Sequence, residues 1–293
     1  MDERDLKQVV RDVIGTAQTL DDCAVIPCSG GLLVATTDML HETTDFPPGM
    51  TGWQIGWMSA AVTLSDIAGM GARPGIVLLA VGLDRGERLR EILIGAKACC
   101  DSCGAELAGG DLDAHSELTI VSSGIGFAET GRVVRRRGAV PGDLICITGP
   151  LGRAQAALDG YADYSRALLE PVPRIREGTL LARAGVSSMM DISDGLVISL
   201  YDLLEANACG YSVDSGKLPL LEGVPAEKSR EYSLFGGGDF ELLFTCRPDI
   251  LPLPDVSCIP VGVVIPEQRV LVDGSDVPCQ GYVHTWEHDD AGE

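Results

Sequence analysis

Apolar residues recur every three to four positions in four stretches, RDLKQVVRDVI (4–14), GWQIGWMSAAVTLSDIAGM (52–70), ERLREILIGAKACC (87–100) and GLVISLYDLLEANA (195–208). That spacing lays one apolar stripe along a helix and predicts four helices. Five shorter runs are continuously apolar or alternate, LLVATTD (32–38), IVLLAVGL (76–83), ELTIVSSGIGF (117–127), DLICITG (143–149) and ELLFTC (241–246), and these predict strands. Strands occur in succession as well as between helices, which indicates an α+β chain rather than a doubly wound sheet. The segment ETGRVVRRRGAVPGD (129–143) interrupts the pattern with glycine, proline and four arginines, and predicts a boundary between domains 1–135 and 136–293. No low-complexity tract or clear internal repeat appears.

Composition narrows the function. At 293 residues and 45% hydrophobic content the chain can build a sizeable core in two domains. A formal charge of −21 argues against nucleic acid or an anionic membrane as partner, since both require basic surface. MDERDLKQVV is charged from its second residue and does not read as a signal peptide. The longest apolar stretch, GIVLLAVGL, is about half of the ~20 residues a membrane helix needs, so a cytoplasmic protein is expected. Lysine is confined to Lys7, Lys97, Lys217 and Lys228, none in a glycine-rich loop, and no GxxxxGK[ST] motif is present. An anionic ligand must then be held by cations, backbone N–H groups or a few arginines. Most of the ten cysteines are scattered singly in apolar surroundings and read as reduced core residues, while Cys100-x-x-Cys103 has no second pair to make a metal site. The four histidines stand in no Ser–His or Cys–His arrangement that would support covalent chemistry.

The acidic residues carry more information. MMDISDGLVISL (189–200) sets Asp191 and Asp194 in an apolar run, where an ionised acid costs several kcal/mol unless compensated. A helix N-cap at Ser193 or Asp194 would account for one acid and not for both. The placement recurs: Asp22 precedes CAVI, Asp38 ends LLVATTD, Asp66 interrupts AAVTLSDIAGMGA, and Asp111 follows two glycines. Singly, each reads as a turn residue or a hydrogen-bonded buried acid. Together, the six are most simply reconciled by convergence on divalent cations, with Mg²⁺ and a polyphosphate as the natural pairing. The glycines of AGGD (108–111), TGPLG (148–152) and FGGGD (235–239) would let backbone approach such a ligand, although TGPLG alone reads as an ordinary turn. Arg136 could present its planar fork to a phosphate, while Arg135 and Arg137 read as solvated linker charges.

These segments, TLDDCAVI, TTDML, SDIAGMGARP, GGD, RRGAVPGDLICITGPLG, DISDGL, GGGDFELLF and GYVH, occur in the order that resembles thiamine-monophosphate kinases. That family lies in the superfamily of aminoimidazole ribonucleotide synthetase and selenophosphate synthetase. The resemblance implies two α/β domains, the first dimerising through a shared β-barrel and carrying the ATP site, the second closing over it. It implies several Mg²⁺ ions held by Asp22, Thr36, Thr37, Asp38, Asp66, Asp111, Asp191 and Asp194. Gly110, Asp111, Arg136 and Ser193 would contact the nucleotide, and Asp111, Arg136 and Asp194 would serve catalysis. Asp45, Gly238 and Trp286 would line the acceptor pocket, where the family usually carries His at the first of these positions and Glu at the second. The implied reaction is direct transfer of the γ-phosphoryl of ATP onto thiamine monophosphate, by a homodimer and without a phosphoenzyme. The two pocket changes leave two alternatives, another small phosphorylated acceptor or a nucleotide-binding regulator without catalysis.

Overall fold

The computed structural model describes residues 3–16, 19–128 and 131–284. An N-terminal helix, α1 (Glu3–Ile14), precedes a five-stranded sheet. The strands are β1 (Ala24–Cys28), β2 (Gly31–His41), β3 (Arg73–Leu83), β4 (Glu106–Ala114) and β5 (Thr119–Phe127), in the order β1-β2-β5-β3-β4. All pairs are antiparallel except β3–β4. Helices α2 (Gly52–Gly69) and α3 (Leu89–Cys103) cover one face, onto which alternate residues Val77, Leu79, Val81 and Ile120 are buried. Thr51 starts α2 with a reciprocal capping box: its hydroxyl accepts from the Gln54 N–H while the Gln54 side chain accepts from its own N–H. The opposite face is uncovered, with Met39, Leu78 and Phe127 exposed along it. Among the described residues this sheet is open and forms no closed barrel.

The second half builds a seven-stranded sheet from β6 (Leu144–Ile147), β7 (Ser188–Ile192), β8 (Gly210–Val213), β9 (Glu241–Cys246), β10 (Ile259–Ile265), β11 (Val270–Val272) and β12 (Ser275–Asp276). Its order is β12-β11-β8-β10-β6-β9-β7. Short helices α4 (Arg153–Leu158) and α5 (Ser165–Leu169) and longer α6 (Ile175–Ala184), α7 (Leu196–Ala206) and α8 (Ala226–Phe235) surround it. One apolar cluster lies between the sheet and α7, and another, containing Ala68 of α2, lies against α6.

The arginine-rich segment is tied to both halves, which its composition did not suggest. Val133 and Val134 are buried, and the Val134 N–H donates to Met70 O at 3.0 Å. Met189 N of β7 donates to Arg135 O at 3.0 Å, and Asn207, just past α7, accepts from the N–H groups of Gly138 and Ala139 while donating to Arg136 O. Arg135 and Arg137 are exposed, as expected of linker charges, and Arg135 is in addition ion-paired with Asp21. Among the described residues no helix is long and apolar enough to cross a membrane.

Candidate active site

The two-residue period of β2 turns Thr36 and Asp38 toward α2 and Thr37 to the other side. The Thr36 hydroxyl donates to Asp66 Oδ2 at 2.5 Å, and Thr63, one turn before Asp66 on α2, donates to Asp38 Oδ2 at 2.6 Å. Ser65 reaches out of the same helix turn to Asp191 Oδ2 at 2.6 Å and so joins the first half to β7. Asp22 completes the group. Its side chain is 0% exposed, its Oδ1 accepts from Arg136 Nε at 2.7 Å and lies 2.6 Å from Nη2, and its Oδ2 has no hydrogen-bond partner.

Four carboxylates gathered out of water disfavour their own ionisation. Burial raises Asp66 well above the ordinary range, and the charges of Asp38, Asp191 and Asp22 raise it further. Burial likewise pushes Asp191 up to about 8, with Asp22 adding to the effect and the Ser65 hydrogen bond opposing it. Asp22 and Asp38 are raised by burial too, against the opposing pull of Arg136 on the first and Thr63 on the second. The donor set suits a hard divalent cation: all donors are oxygens, the Arg136 guanidinium offsets Asp22 and Asp191, and a wholly buried carboxylate oxygen is orphaned. As the side chains stand, no three acidic, histidine or cysteine groups among the described residues are close enough to hold one ion. Each carboxylate instead rests on its own hydroxyl or guanidinium partner, and an incoming cation would exchange those bonds.

Several expected residues are placed elsewhere. Asp38 lies within β2 rather than at its end. Thr37 is exposed on the opposite face, bonded to Ser122 O and Ser123. AGGD is part of a strand, not a turn: Gly110 sits in β4 at φ +154, where an added Cβ would lie 1.6 Å from Leu79 O. Asp111 is exposed there, and the register Asp38↔Ser122, Ser122↔Leu79, Leu79↔Gly110 puts β4 three strand spacings, roughly 14 Å, from the acidic cluster. Gly110 and Asp111 line a separate, mostly apolar cavity of about 570 Å³ with Leu79, Leu93, Lys97 and Leu112.

DISDG and FGGGD, by contrast, come together. Gly238 N donates to Ser193 O at 2.6 Å and Phe240 N to Ile192 O at 3.0 Å, while Tyr282 N donates to Asp194 O at 2.9 Å. Ser193 and Asp194 thus sit in a turn bounded by the glycine loop and the C-terminal segment. Neither caps α7, whose N-cap is Gly195 without a side-chain bond. Asp45 uses its carboxylate locally, accepting from His41 N at 2.8 Å and from the Thr44 hydroxyl. Gly238 differs from Glu in backbone as well as side chain, since its φ of +89 strains any L side chain. Trp286 lies outside the described residues.

Inspection of the sequence missed the partners. Ser65 and Thr63 are polar residues in the buried helix that carries Asp66, which is a usable signal. Asp202 on α7 and Asn207 just past it, which hold Arg136, carry no sequence signal because their role depends on a contact more than sixty residues away. Glu241, fully buried and bonded to Thr148, Arg153 and Arg174, passed as part of a strand.

Residues 20–128 match the family described as AIR synthase related protein, N-terminal domain. The chain is 52% identical to the thiamine-monophosphate kinase of Methanospirillum hungatei over 98% of its own length and 100% of that protein's. It is 36% identical to the enzyme of that name from Halobacterium salinarum, over 97% and 100%. Among solved structures, AaThiL complexed with AMPPCP and TMP superposes with a TM-score of 0.90 at 27% identity, covering 97% of each chain. A structure of the hydrogenase maturation protein HypE in complex with ATP, at 18% identity, shares the fold with a TM-score of 0.70.

Proposed function

Because the chain belongs to the thiamine-monophosphate kinase family, we propose that it transfers the γ-phosphoryl of ATP directly to the phosphate of thiamine monophosphate, in a Mg²⁺-dependent reaction. The observation that carries this reading is the cluster of Asp22, Asp38, Asp66 and Asp191, which includes the orphaned Asp22 oxygen. These four would hold Mg²⁺, which when bound neutralises the phosphates that must be brought in line. The acceptor is already an anion, so no general base is required, and positioning with charge neutralisation accounts for most of the rate in such transfers. Arg136 offers its guanidinium beside the same cluster. Ser193 and Asp194, in the turn against the glycine loop, belong to the transfer site, and Gly238, Asp45 and Trp286 to the acceptor side.

The remaining expected ligands, Thr37, Gly110 and Asp111, lie on β2 and β4 of the sheet whose apolar face is open. In this reading a homodimer packs on that open face, while the acidic cluster and the cavity beside Gly110 lie on the helix-covered side of the same sheet. In this reading the chain divides at 135/136, the first domain dimerising and the second closing the site, and the enzyme works in the cytoplasm. The test is a coupled ATP-turnover assay with thiamine monophosphate, with and without EDTA. Turnover abolished by EDTA and restored by Mg²⁺ supports the proposal. Turnover of other phosphorylated acceptors in its place would move the reading to the alternative substrate, and none at all would favour a regulator.

A further inference from the structure

Arg136 is held at both ends by groups that recognition of the site residues does not include. Its backbone is fixed to α7 by Asn207, which takes the Arg136 carbonyl at 2.9 Å and the following Gly138 N–H at 2.8 Å. Its guanidinium lies between two carboxylates on opposite sides. Nε and Nη2 meet the buried Asp22 at 2.7 and 2.6 Å, and Nη1 meets Asp202 of α7 at 3.4 Å. The Asp22 contact is short and dehydrated, while Asp202 is 28% exposed and its contact longer, so at present the arginine belongs mainly to Asp22.

This sharing conflicts with the other duty of Asp22. A cation that takes the orphaned Oδ2 also competes with the guanidinium for the same carboxylate, because a divalent ion and a neighbouring positive charge repel across one ligand. The guanidinium then needs an anion near at hand, or its release leaves an unpaired charge in a partly buried place. Asp202 is that anion. Resting on the Mg²⁺-kinase reading above, we infer that Asp202 is a positioning residue: it receives Arg136 when a divalent cation takes Asp22, and keeps the fork beside the cluster for phosphate.

Two properties of the fold make the exchange short. The helix bearing Asp202 starts immediately after the DISDG turn, so the acceptor carboxylate, Asp191 and Asp194 stand on one short continuous segment. Asn207 anchors the arginine backbone to the same helix, so only the side chain must turn.

The test uses Mg²⁺ alone, by isothermal titration of the full-length protein without nucleotide. Asp202→Asn should weaken Mg²⁺ binding at least threefold, because the arginine then clings to Asp22, and Asp202→Glu should restore it. In an Arg136→Gln background, where nothing competes for Asp22, Asp202→Asn should change Mg²⁺ affinity by less than a factor of 1.5 or so. An equal loss in both backgrounds would show that Asp202 acts only as a distant negative charge, and no loss in the wild-type background would equally overturn the inference. Wild type that binds no Mg²⁺ at millimolar concentration would overturn the metal reading itself, a result distinguishable from either.

Discussion

Asp191→Asn should separate stability from catalysis. In the folded chain burial and Asp22 hold this carboxyl at about 8, against 3.8 for an ordinary aspartate. At pH 7 and without Mg²⁺, folding therefore draws a proton onto the side chain. Across the three or so pH units between 3.8 and 7, at about 1.4 kcal/mol per unit, this costs at most ~4 kcal/mol. Asparagine is neutral, has nearly the same shape and can still accept from Ser65, so it escapes the cost. If only a quarter of the bound is realised, the variant gains about 1 kcal/mol, or roughly 2 °C in Tm for a chain of this size. The pH dependence follows in sign. The folded protein binds more protons than the unfolded chain between pH 4 and 8, so wild-type stability without metal should fall as pH rises through that window, and the slope should shrink in the variant. On the proposed function turnover should move oppositely, falling at least ~10²-fold, about 2.7 kcal/mol of transition-state stabilisation, because the variant removes a carboxylate proposed to hold Mg²⁺. Differential scanning fluorimetry in EDTA from pH 5 to 8, with ATP turnover in Mg²⁺, provides both readouts. A variant that is less stable than wild type yet fully active would refute the reasoning, since the acid would then be an ordinary structural hydrogen-bond acceptor.

Other outcomes are expected from the same geometry. Saturating Mg²⁺ should raise wild-type Tm more at pH 8 than at pH 6, since protons compete for the four carboxylates; an equal or larger rise at pH 6 would count against ligation by them. Gly110→Ala should cost ~2 kcal/mol or more, read by urea denaturation, because its Cβ would meet Leu79 O in an extended strand that cannot shift without breaking its ladder. Gly238→Glu should lose about 1 kcal/mol or more of stability through its φ of +89, so a rise in Tm would contradict the backbone reading. Light scattering should find a dimer at micromolar concentration, and Leu78→Asp on the open sheet face should shift it toward monomer without unfolding it.

Much of the molecule is written locally. The helices of 52–70 and 195–208 and the strands at 32–38, 76–83 and 241–246 follow from apolar periodicity, and each is present in the fold. The unusual cost of Asp22, Asp38, Asp66 and Asp191 was also legible, because a carboxylate inside an apolar run must find compensation wherever the chain puts it. Periodicity did not disclose which strand face each residue takes. Thr37 and Asp38 are adjacent, yet the pleat sends one into the cluster and the other away from it. The glycines of AGGD looked like a turn because glycine permits turns, whereas here the close approach of β3 requires it within a strand.

Partnership was the part that tertiary structure alone decided. Nothing near Arg136 in sequence indicates that Asp22, Asp202 and Asn207 will surround it, and nothing near Asp191 points to Ser65. A sequence records the price of burying a charge at one position, because that depends on its immediate neighbours. Whether a guanidinium, a hydroxyl or a cation compensates it depends on chain segments over a hundred residues apart meeting within about 3 Å, a distance that only the packed fold sets.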